Sequence, residues 1–178
     1  AIRMFISKRP IIQIAYAVKD VRKAASIWSQ KFNIGPFFVN EHIKISNTLV
    51  NKKKSEFDHS SAYGWKENMM IELICDHQIQ DIPSNSSSIG IHHIAWIAPD
   101  FEKEKEILKK RGCEEVLSAN VGHRNGMKFA WFYPGDEINH FYEIYEKSDD
   151  INSFYSFLYE QSKSWNGDNP VRNISDIN

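Results

Sequence analysis

The strongest constraint on this chain is a repeat. Gln13-Ile14-Ala15-Tyr16-Ala17-Val18-Lys19-Asp20 is matched by His93-Ile94-Ala95-Trp96-Ile97-Ala98-Pro99-Asp100 at a constant offset of 80. Ile14 meets Ile94, Ala15 meets Ala95, Tyr16 meets Trp96 and Asp20 meets Asp100. A repeat of this length found twice describes two copies of one supersecondary unit, since a solenoid needs at least about three. Each copy opens on an apolar run with strand character, over 11–18 and 91–98, and then passes through an Asp into a helical pattern. Asp20 is a fitting N-cap for a helix over 21–32, with Val21, Ala24, Ala25, Trp28 and Phe32 at helical spacing. Asn33 and Gly35-Pro36 end that helix. The second helix covers about 101–111 and stops at Gly112.

The rest of each half reads as three strands. In the first, an extended run from Phe37-Phe38-Val39 reaches Ile45, and 52–59 is a polar connection. Strands over 60–66 and 69–75 then turn at Lys66-Glu67-Asn68. In the second, the strands are 114–119, 127–133 and the run around Glu143, with a bend at Gly122-His123-Arg124-Asn125-Gly126 and a turn at Pro134-Gly135. The predicted class is α+β, with two tandem βαβββ modules forming one cupped mixed sheet. The modules are 10–76 and 90–147, joined by a linker at 77–89 that contains Pro83-Ser84-Asn85-Ser86-Ser87-Ser88. An extension, 148–178, holds Phe154, Tyr155, Phe157, Leu158 and Tyr159. These predict a short amphipathic helix packed on the body or on a second subunit, and the last dozen residues read as loose.

Size and charge exclude several classes. At 178 residues the chain suits one domain or two small modules sharing a core. A net charge of −1 argues against a nucleic-acid partner. No apolar run reaches the roughly 18 residues of a membrane span, and Ala1-Ile2-Arg3-Met4-Phe5 has no signal-peptide core. Cys75 and Cys113 lie in different halves and read as reduced packing thiols. The expected setting is cytoplasmic and the expected partner a small molecule.

The chemistry sits at the ends of the halves. Each closes on an apolar run with one carboxylate in its middle: Met69-Met70-Ile71-Glu72-Leu73-Ile74 and His140-Phe141-Tyr142-Glu143-Ile144-Tyr145. A lone Glu in such a strand is costly to bury unless it is paired or bound to a cation. Each opening strand carries a ligand type at the matching place, Gln13 and His93. On 11–18, Gln13, Ala15 and Ala17 share one face while Ile12, Ile14, Tyr16 and Val18 share the other. His92 falls on the face opposite His93 and reads as structural. Taken singly, these residues have ordinary readings: a strand-edge amide, two solvent-facing glutamates and a core histidine. Together, if the halves pack about a pseudo-twofold axis, Gln13, Glu72, His93 and Glu143 converge. Two acids, an imidazole and an amide oxygen suit one divalent ion (Zn²⁺, Ni²⁺, Co²⁺, Mn²⁺ or Fe²⁺) with open positions for water or substrate.

These residues resemble the vicinal oxygen chelate superfamily, which includes glyoxalase I, methylmalonyl-CoA epimerase, extradiol dioxygenases and bleomycin- or fosfomycin-resistance proteins. The resemblance is carried by Gln13 to Asp20, Phe32-Asn33-Ile34-Gly35-Pro36-Phe37, His92-His93-Ile94-Ala95-Trp96 with Asp100, and Tyr142-Glu143-Ile144, across about 10–147. It implies paired βαβββ modules cupped around a metal, commonly in homodimers, with Gln13, Glu72, His93 and Glu143 as ligands. The Gln/Glu/His/Glu set is similar to that of eukaryotic glyoxalase I, whereas an epimerase usually has His at the place of Gln13. The implied chemistry is that of a metal-dependent lyase, isomerase or epimerase: proton transfer next to a carbonyl, with Glu143 as base and Glu72 as second candidate. For substrate contact the candidates are His123, with His42 and His59 as alternatives, and Trp65, Trp131 and Tyr133 as an apolar lining. Lys44, Lys52 to Lys54 and Arg124 are the residues that could meet an anionic tail. Two other readings stay open: an Fe²⁺ extradiol-type dioxygenase, which needs two His and one carboxylate, and a non-catalytic protein that binds a small molecule or antibiotic.

Overall fold

A computed structural model of the protein describes residues 9–78 and 90–177. Both Asp residues of the repeat cap helices. Asp20 accepts from the Lys23 amide at 3.0 Å and starts Val21–Phe32 (α1). Asp100 accepts from the Lys103 amide at 3.1 Å and starts Phe101–Lys110 (α2). The left-handed Asn33 closes α1, as its short polar side chain permits.

The first half supplies the strands Gln13–Ala17 (β1), Phe37–Asn40 (β2), Ile45–Val50 (β3), Lys53–Lys54 (β4), His59–Lys66 (β5) and Met69–Asp76 (β6). The second supplies Gly90–Ala98 (β7), Glu114–Val121 (β8), Lys128–Tyr133 (β9) and Phe141–Glu146 (β10). After them come Asp149–Ser164 (α3), Val171–Asn173 (β11) and a 3-10 turn at Ile174–Asp176. Among the described residues one sheet runs β11-β2-β5-β6-β1-β7-β10-β9-β8-β3-β4. The order β2-β5-β6-β1 is mirrored by β8-β9-β10-β7. Each opening strand lies parallel to its closing strand, and the two opening strands meet antiparallel at the centre. Both halves are therefore copies in topology as well as in sequence, and the α+β class holds.

Three features depart from the sequence reading. The hairpin β3–β4 does not stay with its own half. It crosses to pair antiparallel with β8, Ile45 opposite Val121 and Val50 opposite Leu117, and so occupies part of the stretch expected to be a mere connection. The tail is not loose throughout, because Val171–Asn173 adds a parallel strand outside β2. The third departure is a bulge in β7. Ala15 is opposite His93 but Tyr16 is opposite Ile91, so His92 is the extra residue. The expected linker lies outside the described residues, apart from His77 and Gln78.

The two repeated helices cover one face of the sheet. Val21 and Ala25 of α1 pack with Val39, Ala62, Ile71 and Leu73. Phe101 and Leu108 of α2 pack with Trp96, Ala130, Phe132 and Ile144. Gly64 is needed here, since a β-carbon would come within 2.8 Å of the Phe37 ring. On the other face, α3 lays Leu158, Phe154 and Phe157 over Phe38, Met70, Tyr63 and Trp65. Beside it Phe57, Leu117, Phe129, Trp131 and Phe141 form a second cluster on the second half. The space between them is the candidate site. Both cysteines are free thiols. Among the described residues no helix is long and apolar enough to cross a membrane.

Candidate metal centre and cavity

Strand register explains why the four sequence-marked residues meet. Glu72 and His93 both stand opposite Ala15, while Gln13 and Glu143 both stand opposite Ala95. Residues directly opposed across a ladder share a face. Four polar side chains therefore surround two fully buried alanines at equivalent places in the repeat. Gln13, Glu72, His93 and Glu143 are themselves all buried.

His93 Nε2 lies 2.6 Å from Glu143 Oε2 and 3.2 Å from Glu72 Oε2. One atom from each of the three lies within 4.8 Å of the others. Although close, His93 Nε2 and Glu143 Oε2 are not aligned as a hydrogen bond, and neither has a hydrogen-bond partner among the described residues. Donors on adjacent corners of an octahedron with bonds of about 2.1 Å stand about 3 Å apart. The spacing here matches that, so the donor set fits a divalent ion. Ser61 Oγ donates to Glu72 Oε1 at 2.6 Å. The Gln13 amide nitrogen touches Glu72 Oε2, and its oxygen accepts from the Tyr145 hydroxyl at 2.8 Å. Turned over, the same amide would donate to Tyr145 and offer its oxygen beside Glu72, because a phenol serves either role.

Electrostatics point the same way. Burial alone would lower the His93 pKa, but Glu143 and Glu72 outweigh it and push it up to about 10. Burial likewise works to raise the Glu72 carboxyl, yet His93 and Ser61 hold it below its usual range. Without a cation, an imidazolium between two acids fills the role of positive centre. The sign of the resulting stability term is set by a folded pKa above the unfolded value of about 6.5. It is fully present below that value and lost as pH rises towards 10. Thermal melts of chelator-treated protein are expected to fall between those limits more steeply than melts with Zn²⁺ bound. Equal slopes would show that the ion does not replace this proton.

His92 corrects the sequence reading. The bulge turns it to the same face as His93, where it is buried against Trp131 and Phe141, with centroids 4.8 and 5.4 Å away. Its Nδ1 lies 2.8 Å from His93 Nδ1. Burial, aided by the His93 charge, holds the His92 pKa well below normal, so the ring stays neutral. A neutral His92 accepts at Nδ1 from the His93 Nδ1–H, which leaves the His93 Nε2 lone pair free for a cation. Partners that orient a ligating imidazole are typically worth about 10–100-fold in metal affinity. His92→Phe is expected to weaken Zn²⁺ binding to the apoprotein by that factor in a calorimetric titration. Unchanged affinity would deny it this role.

A cavity of about 450 Å³ opens above these groups. His123 and Trp131 line it, as does His59, one of the two alternatives. Trp65 and Tyr133 do not: Trp65 packs its ring on Tyr155 and Tyr159 of α3, and the Tyr133 hydroxyl donates to Asp136. His42 is also elsewhere, with Nδ1 at 2.8 Å from Asp58. Lys44, Lys52 to Lys54 and Arg124 are absent from the lining. Sequence reasoning missed three tyrosines, Tyr63, Tyr145 and Tyr155, that line the cavity. For each, burial followed by the nearby carboxylates raises the pKa, so the phenols remain protonated donors. The Tyr155 hydroxyl is buried with no hydrogen-bond partner among the described residues. Strand alternation could have placed Tyr63 two residues beyond Ser61 and Tyr145 two beyond Glu143. Tyr155 arrives on α3, and no local signal marks it.

Among solved structures, the protein is similar to a hypothetical protein from Bacillus halodurans C-125, with 18% identity and a TM-score of 0.52 over 80% of this chain and 96% of that one. It is also similar to methylmalonyl-CoA epimerase from Mycobacterium tuberculosis, with 12% identity and a TM-score of 0.51 over 80% and 91%. At such identities the likeness concerns the fold. None of the curated proteins compared matches the chain. A family model described as Glyoxalase/Bleomycin resistance protein/Dioxygenase superfamily matches residues 12–131, a span that holds Gln13, Glu72 and His93 and ends before Glu143. The chain belongs to that superfamily, whose members commonly bind a divalent metal.

Proposed function

We propose that the protein is a divalent-metal-dependent enzyme of the glyoxalase or epimerase kind, moving a proton at a carbon next to a carbonyl. The observation that carries this reading is the buried meeting of Glu72, His93 and Glu143, with one ligand atom of each within 4.8 Å of the others, on the floor of a cavity. Gln13 completes the set once its amide oxygen is turned inward. A Zn²⁺, Ni²⁺, Co²⁺, Mn²⁺ or Fe²⁺ ion held there would supply Lewis-acid polarisation of the carbonyl oxygen.

The chain's own residues divide the remaining work. Glu72 is pinned by the Ser61 hydroxyl. Glu143 Oε2 lies 2.6 Å from His93 Nε2 and accepts no hydrogen bond among the described residues, so with a cation in place of the His93 proton it is the carboxylate left to take and return a proton. The Tyr155 hydroxyl, buried without a partner beside the cavity, is placed to donate to an oxygen of the substrate as charge builds on it. One imidazole in the quartet disfavours the two-His, one-carboxylate pattern of an extradiol dioxygenase.

The test joins metal analysis of the purified protein to NMR of solvent-deuterium exchange into candidate 2-oxo, thiohemiacetal and acyl-thioester compounds, with each metal supplied. About one bound ion per chain and metal-dependent exchange are expected. Failure to take up any of the five ions would leave a binding protein of the same fold.

A further inference from the structure

The cavity also carries information about the ligand's charge. Besides Glu72 and Glu143 at the floor, it is lined by Glu146 at the end of β10 and Asp150 in the first turn of α3. Among the described residues of the lining there is no lysine or arginine. Lys44, Arg124 and Lys147 adjoin lining residues in sequence but do not themselves line the cavity, and two other basic side chains are engaged elsewhere. Lys128 Nζ meets Glu102 at 3.3 Å, and the Arg172 guanidinium reaches Gln161 and lies over the Phe38 ring. Much of the wall is apolar, with Ile43, Ile45, Val121 and Phe129 in the lining together with Ile151 and Phe154 of α3. One divalent ion would cancel the charge of the two floor glutamates, leaving Asp150 and Glu146, whose Oε2 accepts from the Lys128 amide at 3.0 Å, with no basic side chain in the lining.

We infer that the site takes a small, mainly apolar carbonyl compound whose tail is uncharged or cationic, and that it discriminates against phosphate- or carboxylate-bearing tails such as those of nucleotide thioesters. This rests on the proposed function in one respect only, that the carbonyl end lies at Glu72, His93 and Glu143. The volume suits that class, since about 450 Å³ is towards the lower end of small-ligand pockets. Glu146 and Asp150 add negative charge to the side of the cavity next to the start of α3. Recognition of a phosphorylated tail normally relies on Arg or Lys, and among the described residues none lines the cavity.

The test uses three probes with the same carbonyl end: 2-hydroxyacetophenone, its 4-trimethylammonium derivative and its 4-phosphate derivative. Affinity is read by quenching of tryptophan fluorescence at low ionic strength, where charge effects are least screened. In parallel the visible spectrum of Co²⁺-loaded protein reports metal occupancy. The neutral and cationic probes are expected to bind at least about tenfold more tightly than the phosphate. Asp150→Lys, at an exposed position, is expected to narrow that gap by at least about threefold. A phosphate probe that binds as well as the neutral one, or no binding by any of the three, would overturn the inference. A protein that takes up no Co²⁺ yet keeps the tail preference would instead defeat the metal reading and leave this one standing.

Discussion

Glu143→Gln is expected to slow solvent-deuterium exchange into substrate by about 10²–10⁴-fold, the usual worth of a positioned acid or base. Glutamine keeps the volume of the side chain and one oxygen for a cation, so the change removes basicity more than shape. The companion variant Glu72→Gln carries the same chemical alteration to the other acid. Glu72 receives Ser61 Oγ at 2.6 Å on one oxygen. Its loss is therefore expected to appear chiefly as weaker metal binding, with exchange at saturating metal falling by less than about tenfold. Stopped-aliquot NMR across a metal titration separates the two. A larger loss of exchange for Glu72→Gln at saturation would transfer the base to that residue. Wild-type exchange in both variants would end the proton-transfer proposal.

Trp131→Ala should cause the largest loss of stability among single changes near the site. Trp131 is 1% exposed and stacks on Phe141 with an interplanar angle of 8°. The rings of Phe57, His92 and His93 lie 5.1, 4.8 and 5.8 Å away. Emptying such a position costs about 3–5 kcal/mol through lost transfer energy and the cavity left behind. For a chain of this size that is a fall of about 6–20 °C in the calorimetric midpoint. Trp131→Phe should recover most of it, because the buried indole N–H has no partner whose loss would be felt. A fall of less than about 2 °C for the alanine variant would mean that the surrounding rings close the gap unaided.

Much of the fold was legible because its signals are local and occur twice. Asp20 and Asp100 mark their helix starts, and the apolar spacing after Asp20 gives Val21–Phe32 without error. Period-two alternation places Gln13 with Ala15, and the repeat then places His93 with Ala95. From these two facts the meeting of the four polar residues follows, since each opening strand lies beside its closing strand. The features that escaped are long-range or break the period. Nothing in Ile45–Val50 states that its partner is Val121 and not a strand of its own half. The bulge at His92 shifts alternation by one residue, so a residue assigned outward turns inward beside His93. Tyr155 depends on where a helix beyond both repeats comes to rest.

The crossing of β3–β4 ties the halves together by exchange as well as by contact. A polypeptide ending after Gln78 would carry a ladder partner that only the remainder can satisfy. The remainder would begin at Gly90 with the β8 border bare, a surface prone to unwanted self-association. Fragment complementation should thus favour the two pieces made together over either piece made alone. Shuffling one half against that of a distant relative would have to carry Ile45–Val50 along with β8.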